Sequence, residues 1–567
     1  MKKRILVYIL IITMLFPLMA CGSSDPETGK ETSDGSNGDT TTALQLMQQY
    51  NNQPLQIIDD KYRTFYEVFV YSFYDGNGDG LGDFKGLTEK LDYINDGDES
   101  TDTDLGCNGI WLMPVMSSTT YHKYDVIDYY TIDPEYGTME DFEEFMAACE
   151  ERDIHVLLDL VMNHSSSQNE WFTTACDYLR TLGDGEPDPA ECPYVDYYFF
   201  TKEATSNSYY QIAGTQWYCE GSFWSEMPDL NLMNEDVRNE FAQIIAYWLD
   251  KGVAGFRIDA AIEFEAGNTA ANVEILSWLN ETVKELKEDA YIVAEIWADM
   301  DTYEKYYESG IDSVFNFAFA QQDGIIGSVL NRIGGYDALR YGKASAALEE
   351  RFSAFNPDYI DAPFYTNHDL GRSAGYYSGD GSTEKTKMAQ AMNLMMTGNV
   401  FLYYGEELGM KGAGKDENKR APMYWMEDSG MGMCRGPADM DTITMKYPSL
   451  EVQEADGNSI YHFVKEAIGL RNRYPAILRG SVTCVEELSD ENVCVIRKEY
   501  EGQEILLLWN LGAESGNIDV SSVLLNGESA AAGTVGGALL TGTEDTRKDG
   551  GVVTLPGYSM VLLVSDE

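Results

Sequence analysis

The chain runs to 567 residues, long enough to bury several hundred residues of core in two or three domains. Its 44% hydrophobic and 12% aromatic content fits a folded protein and excludes wholesale disorder. The 95 acidic against 39 basic residues leave a net charge of −56, a surface that repels phosphate backbones and anionic lipid and argues against nucleic-acid binding, while it tolerates a neutral ligand such as a sugar.

At the N-terminus Lys2, Lys3 and Arg4 precede an apolar run from Ile5 to Ala20, interrupted by Pro17 and too short for a comfortable membrane span. The run ends in Leu18-Met19-Ala20-Cys21, which resembles the lipobox of bacterial lipoproteins. That resemblance implies a signal peptide over 1–20, cleavage before Cys21, and a lipid on that cysteine anchoring an extracytoplasmic body to the cell membrane or surface. Residues 21–50, small, polar and acidic, read as a flexible tether. Eight further cysteines (107, 149, 176, 192, 219, 434, 484 and 494) form no C-x-x-C zinc pattern. Cys176 with Cys192, and Cys484 with Cys494, are near enough in sequence to pair in an oxidising compartment, and spacing leaves the connectivity open.

From residue 65 onward short apolar runs alternate with amphipathic stretches. FYEVFVYSF (65–73), GIWLMPV (109–115), IHVLLDLV (154–161), GFRIDA (255–260), YIVAEIW (291–297), SVFNFAF (313–319), FYTNHD (364–369) and VFLYYGEE (400–407) are β-branched or aromatic and mostly nonalternating, as strands buried on both faces require. Helical patterns such as TMEDFEEFMAACEE (138–151) and DVRNEFAQIIAYWLDKG (236–252) lie between them. The alternation predicts an α/β fold, a closed parallel (β/α)8 TIM barrel over 51–164 and 231–475. Residues 165–230 are too many for an ordinary βα loop and are expected to form an inserted subdomain after the third strand. Beyond 475 the pattern changes to VCVIRKEY, EILLLWNL and VVTLPGYSMVLLV with Gly- and Asn-containing turns, which predicts an antiparallel β-sandwich over 476–567. After the first strand, DGNGDGLGDF (75–84) has the look of a calcium loop. It is no EF-hand, because position twelve is Gly86 rather than Glu and a strand, not a helix, precedes it.

Barrels of this kind carry their chemistry at the carboxyl ends of the strands. There the sequence places Asp159 with Asn163-His164, Arg257 with Asp259, Glu295, and Asn367-His368-Asp369. Two carboxyl groups, one ionised and one protonated, suit cleavage of a glycosidic bond through an oxocarbenium-like state. Arg257, two positions before Asp259, shares its face of the strand and would keep it ionised and oriented as a nucleophile. Glu295 follows the apolar Ile292-Val293-Ala294, where desolvation favours the proton a general acid must hold. His164 and His368 suit gripping sugar hydroxyls better than metal, since neither has a second imidazole at ligand spacing.

DLVMNH (159–164), GFRIDA (255–260), AEIW (294–297) and TNHD (366–369) resemble four successive signatures of glycoside hydrolase family 13, the α-amylase family. MPDLN (227–231), YYGEE (403–407) and RAPMYW (420–425) match as well. The resemblance implies Asp259 as nucleophile, Glu295 as acid/base, Asp369 as transition-state stabiliser, and retention of anomeric configuration. It implies that His164, Arg257, Asn367 and His368 support the sugar at the cleavage subsite, with His122 and the stacking Tyr124 of YHKYDV beside them. It also implies a structural Ca2+ held by the side chains of Asp75, Asn77, Asp79 and Asp83 and the carbonyl of Leu81.

MPDLN is intermediate between the oligo-1,6-glucosidase and neopullulanase branches of the family, and His122 resembles the amylase form of its segment. Ile262 and Glu263 stand where many polymer-acting amylases have Lys and His. The expectation is a monomeric, surface-anchored α-amylase cleaving internal α-1,4 bonds of starch and maltooligosaccharides. The competing readings are an oligo-1,6-glucosidase or neopullulanase and, from another class, a non-catalytic glucan-binding lipoprotein. Three carboxylates facing a neutral ligand argue against the last.

Overall fold

The apolar runs form short parallel strands with almost every residue buried: β1 (Thr64–Val68), β2 (Gly109–Leu112), β3 (His155–Leu160), β4 (Gly255–Ile258), β5 (Tyr291–Ala294), β6 (Ser313–Val314) and β7 (Val400–Tyr403). The computed structural model describes residues 41–428 and 430–565. The strands pair in the order β6-β5-β4-β3-β2-β1-β7, each beside its predecessor in the chain except where β1 meets β7. Residues 362–364 join the two ends through parallel bridges, Phe315 with Ala362 and Phe364 with Phe401, so the sheet curls into a TIM barrel.

The strands are shorter than the runs that announced them. FYEVFVYSF stops pairing at Val68 and turns through a single 3-10 turn, Val70–Ser72. FYTNHD contributes one bridge in place of a strand. There the Asn367 Oδ1 accepts the backbone N–H of Asp369 at 3.0 Å and of Leu370 at 3.1 Å, taking donors a ladder would need. The tether reading is corrected at its end. Residues 43–50 form helix α1 (Ala43–Tyr50), capped by Thr42 and Gln45 and burying Leu46 and Met47. Asn51 then bonds Glu466 Oε2 at 2.8 Å, which fixes the segment to the body. An apolar pair at helical spacing inside a polar stretch outweighs the composition around it. The signal peptide and the lipid site at Cys21 lie outside the described residues. Among those described, no helix is long and apolar enough to cross a membrane.

Helix α2 (Met139–Glu150), with a Thr138 capping box, and helix α3 (Glu235–Asp250) follow the two amphipathic patterns. Between β3 and α3 the chain carries a helix (Glu170–Thr181) and a small sheet (Phe200–Thr201, Tyr218–Glu220, Tyr209–Gln211), joined at the stem by a bridge of His164 with Asp229. Helix α4 (Ala338–Ser353) packs outside the barrel. At the C-terminus β8 (Ser481–Cys484), β9 (Val493–Tyr500), β10 (Gln503–Asn510), β11 (Thr534–Leu540) and β12 (Ser559–Val564) make an antiparallel sheet in the order β8-β9-β10-β12-β11. Its alternate residues enter different cores. Ile496, Leu507 and Leu562 join the barrel's core, while Val495, Leu508 and Val561 join a second core with Ile518 and Val553 of the small facing sheet. This explains apolar runs such as EILLLW without a two-residue alternation.

Inside the barrel, side chains are layered. Phe65 stacks on Tyr291 and Phe401 (centroids 5.6 and 4.9 Å), filling the floor. One pleat higher stand Glu67, Trp111, Asp159 and Arg257, all buried, with the guanidinium 5.0 Å above the Trp111 ring. The chain above this layer forms the mouth.

Candidate active site

Everything at the mouth is organised by Arg257. Its Nη1 donates to Asp259 Oδ1 at 2.7 Å and to Asp159 Oδ1 at 3.0 Å, and its Nη2 lies 2.8 Å from Glu295 Oε2. A fully buried guanidinium is stable only among such partners. The reward is geometric: one rigid fork fixes three carboxyl groups from neighbouring strands. β4 gives way after Asp259 to a left-handed turn at Ala260 (φ 45°), whose N–H donates to Glu295 Oε2 at 3.2 Å. A non-glycine residue in that conformation is held there by its surroundings.

A second chain of contacts holds Asp369. His368 Nδ1 lies 2.7 Å from Glu67 Oε1, and Nε2 faces Asp369 Oδ2 at 3.1 Å and the Tyr124 hydroxyl at 2.7 Å. That hydroxyl donates to Asp159 Oδ2 at 3.0 Å, linking the two chains. Arg420 Nη2 donates to the other oxygen of Asp369 at 3.0 Å.

The charges follow from this wiring. Burial pushes the Glu295 carboxyl up, against the pull of Arg257, so its proton is held more tightly than usual. Burial also pushes Asp159 up to about 7. For Asp369 burial acts in the same direction but is overcome by His368 and Arg420, and the carboxyl stays far below its ordinary value. Burial pulls His368 down, yet Asp369 and Glu67 outweigh it and raise the imidazole to about 9, so it is cationic at neutral pH. His122, lowered to about 4 by burial and by Arg420, is neutral. Its Nδ1 accepts the Tyr124 N–H at 3.2 Å, which leaves Nε2 to carry the proton. The cations Arg257, His368 and Arg420 are interleaved with the carboxyl groups of Glu67, Asp159, Asp259, Glu295 and Asp369, and Asp369, held far below its ordinary value, keeps negative charge at the mouth.

These groups open into a cleft of about 640 Å³ lined by His122, Tyr124, His164, Asp259, Glu295 and Asp369 among others. Six of the predicted residues thus meet at one surface. Arg257 and His368 lie beneath it and hold carboxyl groups that line it. Asn367 turns its Oδ1 to the backbone N–H groups of Asp369 and Leu370 and is not among the residues lining the cleft. The buried Nε2 of His164 has no protein partner, a polar atom at the cleft wall suited to a hydroxyl. Sequence reasoning missed Glu67, Arg420 and the exposed aromatics Phe223, Trp224 and Trp297 along the cleft. For Glu67 a signal existed, an acid inside the apolar FYEVFV two residues from Phe65. Trp297, stacked on Phe317 at 5.4 Å, was hidden by reading 291–297 as strand.

In the 75–86 loop the carboxylates are aimed at backbone N–H groups: Asp75 accepts from Gly78 and Gly80 at 2.6 and 2.7 Å, and Asp83 from Gly86 and Asn77 at 2.7 and 3.0 Å. Asn77 and Asp79 take Asp79 and Leu81 N–H in the same way. Asp75, Asp79 and Asp83 do not bring oxygens within 4.8 Å of one another as a trio. The donor set is oxygen-only, the chemistry a calcium ion prefers.

The family description "Alpha amylase, catalytic domain" matches residues 67–480. "Alpha-amylase 3" of Dictyoglomus thermophilum is 35% identical over 462 residues, 80% of this chain and 85% of that protein. "Glucan 1,6-alpha-glucosidase" of Streptococcus pneumoniae is 29% identical over 82% of this chain and 94% of that protein. The solved structure of Eubacterium rectale Amy13B superposes with a TM-score of 0.87 at 48% identity, covering 92% of this chain and 99% of that one.

Proposed function

The chain belongs to the α-amylase family and is a glycoside hydrolase acting on glucans; from that premise we propose that it cleaves internal α-1,4 bonds of starch and maltooligosaccharides with retention, through a covalent glycosyl-enzyme. The observation that carries this reading is the grip of one guanidinium on both Asp259 and Glu295 at the floor of an open cleft. Asp259 attacks the anomeric carbon while Glu295 gives its proton to the departing glycosidic oxygen. Glu295, now ionised, then takes a proton from water as that water displaces Asp259. Asp369, fixed by His368 and Arg420, keeps negative charge beside the oxocarbenium-like state. His122, Tyr124 and His164 present the donors, acceptor and ring that a glucosyl unit needs.

An internal cut requires glucose units bound on both sides of the scissile bond. Phe223, Trp224 and Trp297, each 46–52% exposed, border the cleft and offer apolar faces to such units. Starch, pullulan and isomaltose digests followed by product analysis test the assignment. Mixed maltooligosaccharides released early from starch are expected, and glucose from isomaltose as the main activity would replace it with the 1,6 reading. Asp259→Asn is expected to lower turnover by several orders of magnitude with the fold intact.

Two further readings belong to the same proposal. Calcium, when bound by Asp75, Asn77, Asp79, Asp83 and the Leu81 carbonyl, would neutralise clustered carboxylates and staple a loop that leaves β1 toward the mouth. The leader ending at Cys21 would place the enzyme on the outer side of a membrane, where polymeric glucan is met; replacing Cys21 by Ser should release it from the membrane fraction.

A further inference from the structure

Gly342, inside α4, faces two sulfurs at once. A Cβ placed on it would stand 2.9 Å from Cys484 Sγ and nearer still to Cys494 Sγ, so no residue with a side chain fits there. The two thiols share the space that side chain would occupy. Cys484 ends β8, the edge strand of the C-terminal sheet, and is paired in register with Ile496. Past that pair the chain bends, and the Val485 N–H donates to Val495 O at 2.8 Å, which carries Cys494 toward Cys484. Cys484 is half-buried and Cys494 fully buried. Their contact polarises them: it lowers the Cys484 thiol below its ordinary range and, with burial, raises Cys494. The accessible thiol is therefore also the better thiolate, the order needed for exchange.

We propose that Cys484 and Cys494 are a cross-linking site, oxidised to an intramolecular disulfide by exchange with a small-molecule disulfide. The Cys484 thiolate attacks one sulfur of that disulfide and releases one thiolate. Cys494 then loses its proton to water and attacks the Cys484 sulfur, releasing the second. The two protein thiols are oxidised and one external disulfide is reduced to two thiols. The bond ties β8, which has only one neighbour in its sheet, to β9 beneath α4. The proposal is independent of the catalytic reading.

The test exposes the purified protein to oxidised glutathione, quenches with acid, denatures, alkylates free thiols and maps peptides by mass. Loss of two alkylated cysteines, with one peptide pair joining 484 to 494, is the expected result. Reductant should lower the oxidised protein's melting temperature by several degrees and leave Cys484→Ser unmoved. Full alkylation of both cysteines, glutathione retained on Cys484, or a bridge elsewhere with Cys484 free would each overturn it.

Discussion

Replacing Glu67 by Gln removes a charge from beneath the active site while keeping an acceptor in the same place. The amide oxygen can still take the Nδ1 proton of His368, so the geometry survives and only electrostatics change. Burial alone would lower the imidazole, and Asp369 and Glu67 together hold it at about 9. Against an ordinary value near 6.5, that lift corresponds to about 3 kcal/mol for a fully buried group, of which the Glu67 share is on the order of 1–2 kcal/mol. Because the folded value is raised, this stability is complete below about pH 6.5 and is lost as pH climbs through about 9. The variant should therefore be less stable than the parent around pH 6, with the gap closing above about pH 9. The His368 ring titration should move to lower pH by about one unit. Urea unfolding across pH reads the stability effect, and NMR of the imidazole reads its cause. A ring titration identical to the parent's would refute the claim that Glu67 keeps His368 charged.

Arg257→Met should cost about 3–5 kcal/mol of stability, because it strands Asp159, Asp259 and Glu295 without their shared cation. Denaturant midpoints check this, and a variant as stable as the parent would contradict the pairing. Trp297→Ala should raise KM on long maltooligosaccharides about three- to tenfold and spare short chromogenic glycosides, where the ring has little to stack on. Chelation should lower the melting temperature, since calcium at about 100 times its Kd adds about 2.7 kcal/mol; an unchanged melt would remove calcium from the 75–86 loop.

The barrel could be read ahead of the structure because strands buried on both faces leave dense apolar runs, and the polar residues ending those runs have nowhere else to go but the mouth. Asp259, Glu295 and Asp369 were legible for that reason. The runs misled where aromatic side chains left the strand and still found cover, as Phe69 and Phe73 do past β1. Glu67 was harder to see because its partner lies 301 residues away. Only the closed ring makes positions 67 and 368 neighbours. Arg420 belongs to a quoted motif, RAPMYW, but nothing in its spacing to Asp369 announces an ion pair. The helix over 43–50 was masked by average composition, which cannot register two well-placed apolar residues.

The seventh stave of the barrel forms no continuous ladder, only isolated bridges at Ala362 and Phe364, yet Asp369 emerges from it. Asp369 therefore owes its position to side-chain charges, His368 from below and Arg420 from a separate loop, more than to a ladder. Warming or modest denaturant should loosen this corner while the well-paired arc from β1 to β5 still holds. The enzyme is then expected to fall silent before it melts, with amides at 362–370 exchanging first among the staves.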